Sequence, residues 1–269
     1  MSETPLLFDD QNRVVSDAHH PDFDLGFEAL PAADRLALSA HLTIRSFKRG
    51  ESLTDWRSTS DCHFISSGLA ALTVKVDEHI DVGILLLGRG DGVGIQAALG
   101  ATPASLPDVL ALTECTVASA SVEELRRLAA ASEPLRRHLH GLIDRQLAAT
   151  MRTAACNARH GVERRLARWI LDADDRSFGS PLHFTHQQLA ALLGVQRVTI
   201  TLALQKLEGD RAIRANRGLV VIRDRARLEQ LACSCHGPAK RTSHLLSWFA
   251  PAAFPWLSDI GSFGELLLC

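Results

Sequence analysis

The side chains best suited to contact nucleic-acid bases lie together in the segment QRVTIT at 196–201. Arg197 can span the O6 and N7 acceptors of guanine with two hydrogen bonds, and Val198 can touch a thymine methyl group. Threonine hydroxyls and a lysine ammonium suit phosphate oxygens, which position a protein on DNA without selecting a sequence. The predicted contacts to DNA in this part of the chain are Thr185, Gln196, Arg197, Val198, Thr199, Thr201 and Lys206.

Two short helices must hold these side chains. Thr185 and Gln188 form a T-x-x-Q capping box that starts the first helix, and Gly194 ends it because glycine adopts a positive φ without cost. A second helix begins near Gln196, and its apolar residues recur at helical spacing up to the stop at 208–210. Two such helices joined at a glycine predict a helix-turn-helix, whose second helix enters the major groove by its N-terminal end.

The segment AIRANRGLVVIRD (212–224) predicts a β-hairpin next to this motif. Two apolar runs flank the turn residues Asn216, Arg217 and Gly218. Arg217 at the tip is expected to contact backbone phosphate, which makes the hairpin a wing. A hairpin that only closes the small core is compatible with the same pattern. Asp224 is expected to cap a final helix.

A long amphipathic helix is predicted to start at Ser132, with Pro134 in its first turn. Its apolar residues recur every three or four positions. Packing on its own domain and forming a two-stranded dimer seam both fit this stripe, and the length of the helix favours the seam. The predicted dimer contacts are Leu135, Leu139, Leu142, Ile143, Leu147 and Met151.

The segment from about 42 to 117 predicts short strands separated by turns, including the glycine-rich stretch GRGDGVG at 88–94. Several short strands at this spacing indicate a small barrel or roll. Residues 1–156 carry 14 Lys and Arg against 21 Asp and Glu, a net charge of −7, whereas residues 157–236 carry 13 against 8, a net charge of +5. The basic C-terminal part is therefore the part expected to face a polyanion.

Composition narrows the class of protein further. Of 269 residues, 46 % are hydrophobic, and no run reaches the roughly 18–20 apolar residues of a membrane span. The N-terminus lacks the basic and apolar regions of a secretory signal, so a cytoplasmic location and no membrane contact are expected. The six cysteines do not form a disulfide framework. A metal could be ligated by Cys233, Cys235 and His236. Because the sequence shows no second group of ligands, the favoured interpretation is a helix end that carries two thiols, and no metal and no cofactor are predicted.

The chain resembles Crp/Fnr bacterial transcription regulators over residues 30–236, most closely in LAALLGVQRVTITLALQKLE, RGLVVIRDRARLEQLACSC and RTAACNARHGVERRLARWIL. The resemblance implies an α+β fold with a jelly-roll-like β-roll (a double-stranded β-helix), a dimerisation helix and a winged helix-turn-helix. It further implies that Arg197 contacts a guanine, although Val198 replaces an acidic residue, and that RNA polymerase is a partner. The domains predicted are an arm at 1–25, a sensor roll at 26–131, a dimerisation helix at 132–158, a DNA-binding domain at 159–236 and a tail at 237–269.

The sensor half departs from relatives that bind cyclic AMP. The resemblance places the effector turn at Gly92, Gly94, Ile95 and Gln96, and Ile95 stands where those relatives have a glutamate for the ribose. No Lys or Arg occurs between Arg89 and Arg126, so a phosphate there would lack a side-chain counter-charge. The pocket is therefore expected to be degenerate, and an effector of other chemistry is left open. The iron–sulfur cysteines of oxygen-sensing relatives are also missing, since no cysteine precedes Cys62.

The predicted function is a homodimeric, sequence-specific regulator of transcription that binds a palindromic operator on double-stranded DNA. The alternative is a sensor whose helix-turn-helix makes protein contacts instead of DNA contacts. An enzyme is not expected, because the sequence contains no Gly-x-Ser-x-Gly, phosphate-binding loop or His-Glu-x-x-His motif. The apolar tail at 245–257 is expected to be dispensable for DNA binding.

Overall fold

The computed structural model describes residues 26–53, 60–77, 80–101, 108–177, 182–216 and 218–237. It confirms the predicted α+β class, with a sheet-rich N-terminal region, a long helix and a C-terminal helix-turn-helix. The predicted arm at 1–25, the wing-tip residue Arg217 and the tail from 238 onward lie outside the described residues.

The N-terminal region is a roll of two antiparallel sheets. One sheet has the strand order β1-β7-β2-β5 and the other has the order β4-β3-β6. A first helix precedes the strands, and a short helix lies between β5 and β6. The elements are α1 (Ala32–Ser39), β1 (Thr43–Phe47), β2 (Asp61–Ser67), β3 (Ala70–Asp77), β4 (Ile80–Leu87), β5 (Gly92–Val93), α2 (Ile95–Ala98), β6 (Asp108–Ala111) and β7 (Cys115–Ser121).

Strand β2 is buried on both faces because it lies between two apolar clusters. Ile65 packs inside the roll with Leu87 and Val117. Phe64 faces the opposite way, into the cluster that the following helices cover. The roll is thus a filled core between two sheets, closed by helices on one side.

Helix α3 (Val122–Ala131) begins at Ser121, whose hydroxyl accepts a hydrogen bond from the Glu124 amide at 3.1 Å. The Glu124 carboxylate binds Arg127 on the same helix. Helix α4 (Glu133–Arg159) follows at once and is capped by Ser132, with a proline in its first turn as predicted. Its bounds agree with the helix predicted at 132–158.

The burial of α4 corrects half of the predicted dimer stripe. Leu135, Leu139 and Leu142 are at most 1 % exposed because they pack into the roll's own core. They have no surface left to offer a second chain, so the interpretation of a helix packed on its own domain holds for this first half. Further along, Leu147 and Met151 are 51 % and 62 % exposed. Ile143 is half-buried at the boundary between the two parts.

The C-terminal region surrounds a separate sheet of three short strands in the order β8-β10-β9. Two helices, α5 (Val162–Ser177) and α7 (Arg197–Gly209), form most of its apolar core. Phe184 belongs to the same core and packs edge-on against Trp169, with the two ring centroids 5.1 Å apart. The elements are α5 (Val162–Ser177), β8 (Leu182–His183), α6 (His186–Leu193), α7 (Arg197–Gly209), β9 (Ile213–Asn216), β10 (Leu219–Ile222) and α8 (Arg225–Leu231).

The roll packs directly on the helix-turn-helix through β4 and α6. A Cβ added to Gly83 on β4 would lie 2.8 Å from the Leu192 carbonyl oxygen, so only glycine permits this approach. Val82 contacts the turn at Gly194. Arg49 of the roll donates a 2.7 Å hydrogen bond to the side-chain oxygen of Gln188. One apolar cluster therefore contains residues of both regions, and the predicted domain boundary at 159 does not separate two independent cores.

Candidate nucleic-acid interface

The turn between α6 and α7 is built by local sequence signals. The Thr185 hydroxyl accepts from the Gln188 amide at 3.1 Å, and the Gln188 side chain accepts from the Thr185 amide at 3.0 Å. This reciprocal pair is a complete capping box. Gly194 ends α6 with φ of 63° in the left-handed region, and Gln196 is the N-cap of α7. These are the elements and bounds that the sequence predicts.

The two faces of α7 differ sharply in burial. Ile200, Ala203, Leu204 and Leu207 are at most 2 % exposed and hold the helix against α5 and α6. The N-terminal turn projects from the surface instead, because Gln196, Arg197 and Val198 are all exposed. This is the presentation by which a helix-turn-helix inserts its second helix into the major groove.

Thr199 and Thr201 are less available than the sequence suggests, since both are half-buried. The Thr201 hydroxyl donates to the Arg197 carbonyl at 3.1 Å and lies 2.9 Å from the ring nitrogen Nδ1 of His186. The Thr201 hydroxyl therefore contacts both the preceding helix and the first turn of its own helix. Thr201 thus braces α6 against the first turn of α7, and its predicted contact with a phosphate stays a prediction.

Lys206 also has a partner within the chain. Its ammonium lies 2.7 Å from the Glu163 carboxylate on α5, and both side chains are about half exposed. An exposed pair of this kind is worth little and exchanges easily for another anion. Lys206 nonetheless lies near the C-terminal end of α7, away from the projecting turn, so it is a weaker candidate for a phosphate contact than the sequence suggests.

Ion pairing separates the basic side chains of this region into two groups. Arg225 binds Asp174, Asp175 and Glu229, and Arg227 binds Asp210. Within the described ranges, the exposed arginines that form no ion pair include Arg197 at the start of α7 and Arg214 on the wing strand, besides Arg211 and Arg223. Their charges are thus free to face an external polyanion. The sequence analysis did not predict Arg214 as a contact to DNA. Its position in the predicted hairpin, where alternate side chains face solvent, could have indicated this.

The effector turn of the roll is filled by the chain itself. Ile95 is 1 % exposed, and a Cβ added to Gly92 would lie 2.4 Å from the Ile95 side chain. Gln146 on α4 donates a hydrogen bond to the Gly92 carbonyl. The arginine that approaches from α3, Arg126, binds the Ala97 carbonyl at 3.0 Å. At this turn, Gly92 and Ile95 are therefore part of the packed core of the roll.

One polar pair lies inside the roll. The His63 ring nitrogen Nδ1 is 2.7 Å from the Ser119 hydroxyl, and both residues are about 5 % exposed. Burial, assisted by the positive charge of Arg45, lowers the pKa of His63 to about 4. His63 is consequently neutral at physiological pH.

In the structure, Cys233 and Cys235 lie next to two further residues that can ligate a metal, which the sequence did not reveal. Cys156 and His160 at the end of α4 join them, and the four potential ligand atoms all lie within 4.8 Å of one another. Burial raises the pKa of the Cys156 thiol to about 12 and also raises that of Cys235. The expectation of two isolated thiols at a helix end is therefore corrected.

Residues 164–231 match the Crp-like helix-turn-helix domain family. No curated protein matches the sequence significantly. Across the described residues, no helix is both long enough and apolar enough to cross a membrane.

Several solved regulator structures share the fold. CLP from Xanthomonas campestris, described as a c-di-GMP-responsive global regulator, is 20 % identical with a TM-score of 0.61, covering 71 % of this chain and 99 % of CLP. FixK2 from Bradyrhizobium japonicum is 16 % identical with a TM-score of 0.61, covering 72 % and 98 %. A CRP/FNR-family transcriptional regulator from Thermus thermophilus is 22 % identical with a TM-score of 0.58, covering 70 % and 97 %. CLP and the Thermus thermophilus protein are described as regulators.

Proposed function

We propose that the chain is a Crp/Fnr-type transcriptional regulator that binds a two-fold-symmetric DNA operator as a homodimer, and its fold and its Crp-like helix-turn-helix domain support this proposal. Relatives of this kind bind DNA and act with RNA polymerase, and we extend both partners to this chain. The domain division given above is part of the proposal, with 159–236 as the DNA-binding part.

The exposed first turn of α7 is the observation that carries the proposal. Arg197 faces solvent and has no acidic partner in the described part of the chain, so its donors remain available for a guanine edge. Val198 is 60 % exposed beside it, and an exposed apolar side chain at this place suits a thymine methyl group. Arg214 on the wing and Arg217 at its predicted tip supply phosphate contacts on the neighbouring backbone.

The proposed dimer face is the second half of α4. Ile143, Leu147 and Met151 remain from the predicted stripe, and the exposed Ala154 and Ala158 continue it toward the DNA-binding domain. The residues 147, 151, 154 and 158 follow one another at spacings of four, three and four, which is the seam of a two-stranded coiled coil. The small alanines allow the two helices to approach closely near the end of α4.

We assign the roll a role that does not involve cyclic AMP. Ile95, at the position where the resemblance places the ribose contact, is buried in an apolar cluster. The sequence also has no Lys or Arg between Arg89 and Arg126, so a phosphate at this turn would lack a side-chain counter-charge. The contact between β4 and α6 remains a direct mechanical connection from the roll to the helix-turn-helix. An effector of other chemistry would act through this connection.

Substitution of Arg197 tests the proposed function. Arg197→Ala should weaken binding to a selected operator by about 1–3 kcal/mol and relax the preference at one base pair in each half-site. Arg137→Ala is the matched control, because Arg137 is also an exposed arginine, 74 % accessible, but lies on the first part of α4. The affinities are measured by fluorescence anisotropy at one fixed salt concentration.

The two classes of function give different outcomes. A DNA-binding regulator loses affinity and sequence preference with Arg197→Ala and keeps both with Arg137→Ala. A module that uses its helix-turn-helix for protein contacts shows no sequence preference in the wild-type protein. Equal losses for the two variants would mean that Arg197 acts only through net charge.

A further inference from the structure

A compact group of metal-ligating side chains lies where the dimerisation helix meets the DNA-binding domain, and it takes no part in the proposed contacts with DNA. Cys156 and His160 come from the end of α4, and Cys233 and Cys235 come from the turn that follows α8. Their ligand atoms all lie within 4.8 Å of one another. The Sγ atoms of Cys156 and Cys233 are 3.4 Å apart, and the Sγ of Cys235 is 3.7 Å from Nδ1 of His160.

The separations of 3.4 Å and 3.7 Å match those between ligands of a single tetrahedral ion. With Zn–S bonds of about 2.3 Å and a Zn–N bond of about 2.0–2.1 Å, tetrahedral geometry places the ligand atoms roughly 3.5–3.8 Å from one another. An iron–sulfur cluster would hold its cysteines farther apart, because several irons and bridging sulfides lie between them. A disulfide would require a separation of about 2.05 Å, and Cys156 and Cys233 are both free thiols.

Local structure brings each pair of ligands together before any ion binds. Cys156 lies in the last turn of α4, and His160, four residues later, is the C-cap of this helix. The helix is still intact at this point, since the His160 amide donates to the Cys156 carbonyl at 2.9 Å. On the other side, the His236 amide donates to the Cys233 carbonyl at 3.2 Å, which closes the turn that carries Cys233 and Cys235.

Neighbouring charges complete the environment. Asp172 on α5 accepts from Arg168 at 3.0 Å and lies 3.0 Å from His236, so it fixes the cysteine turn against α5. Arg168 is 8 % exposed, and in the described part of the chain its Nε has no hydrogen-bond partner. Its positive charge acts on Cys156 and Cys235. A buried guanidinium with a spare donor suits a site of three thiolates and one divalent ion, whose net charge is −1.

We propose that Cys156, His160, Cys233 and Cys235 form a Cys₃His site for one zinc ion per chain. The ion joins the end of α4 to the turn after α8, at the junction formed by His160 and Gly161 before α5 begins. Residues 156 and 233 are far apart in sequence, so the ion closes a long loop and stabilises the folded DNA-binding domain. It thereby holds that domain at a fixed orientation to the helix that enters it.

The zinc content of the purified full-length chain tests this assignment. Protein is prepared with a reductant and dialysed against metal-free buffer, and its metal content is measured by inductively coupled plasma mass spectrometry. It should retain one zinc ion per chain. Cys235→Ser and His160→Gln should each lower the zinc affinity by at least about 100-fold, beyond the 10–100-fold typical of outer-shell partners. Cys62→Ser is the matched control, because Cys62 is a buried thiol of the roll whose Sγ binds the Gly94 carbonyl.

Cobalt replacement gives a measurement that needs no variant. Co²⁺ added to the chelator-treated wild-type protein should produce intense visible d–d bands of tetrahedral cobalt together with sulfur-to-cobalt charge-transfer bands. Weak six-coordinate bands, or zinc retained equally by Cys235→Ser and His160→Gln proteins that fold normally, would overturn the site. A Cys156–Cys233 disulfide in protein kept under reductant, with no bound zinc, would overturn it too.

Discussion

The exposed half of α4 gives the proposed dimer a quantitative test. Full burial of a Leu or Met side chain is worth about 1.5–3 kcal/mol. Leu147 is 51 % and Met151 is 62 % exposed in the single chain. Burying this exposed part against a second chain contributes roughly 1 kcal/mol for each side chain. Two residues on each of two protomers contribute roughly 4 kcal/mol, which corresponds to about a thousandfold in the dimer dissociation constant.

The double substitution Leu147→Asp with Met151→Asp removes this contribution and adds carboxylates that repel one another across the seam. Sedimentation velocity at low micromolar concentration should show a dimer for the wild type and a monomer for the double variant. Leu36→Asp is the matched control, since Leu36 on α1 is 64 % exposed and lies outside the proposed face. The variant should remain folded as a monomer, because both positions face solvent in the single chain, and its melting temperature should fall only by the loss of the dimer contact.

Leu139→Asp separates the two roles of α4. Its side chain is fully buried in the roll, so a carboxylate there should unfold the roll instead of yielding a folded monomer. If the Leu147 and Met151 double variant remained fully dimeric, or if Leu139→Asp gave a well-folded monomer, the assignment of the two halves of the helix would be wrong.

Three further predictions concern the roll. Gly83→Ala should loosen the contact between β4 and α6, because its Cβ would lie 2.8 Å from the Leu192 carbonyl oxygen, and hydrogen exchange should rise in α6 but not in β7. The roll should lose stability as the pH falls from 6.5 toward 4, because His63 takes up a proton in the unfolded chain in this range but stays neutral in the folded chain. The midpoint of urea unfolding should therefore fall with pH in this range, and His63→Asn should reduce that fall. Calorimetry with cyclic AMP or cyclic GMP should show no saturable binding at micromolar concentration, because Ile95 fills the effector turn.

Local signals in the sequence predicted most of the helix-turn-helix. The T-x-x-Q capping box, the glycine at 194 and the cap at Asp224 act within a few residues, so their consequences follow from the sequence alone. The bounds of α6, α7 and α8 agree with those expectations. The long helix was predictable for the same reason, because Ser132 and the proline after it define its start.

Contacts between segments that are distant in the chain could not be predicted from the sequence. The stripe on α4 is continuous in sequence, but only the fold decides that Leu139 faces the roll while Leu147 faces solvent. The engagement of Thr201 depends on His186 in the preceding helix. Likewise, the two thiols at 233 and 235 looked isolated because their partners on α4 lie more than seventy residues earlier in the chain.

Selection of DNA by the purified full-length protein tests the central claim most directly. The retained fragments from a random library are sequenced at a fixed salt concentration, and Arg197→Ala protein is carried in parallel. The account predicts a two-fold-symmetric site with half-sites about one helical turn apart, roughly 34–36 Å, and a guanine preference in each half-site that Arg197→Ala loses. Retention of DNA without a preferred sequence, or a preferred site without two-fold symmetry, would contradict it.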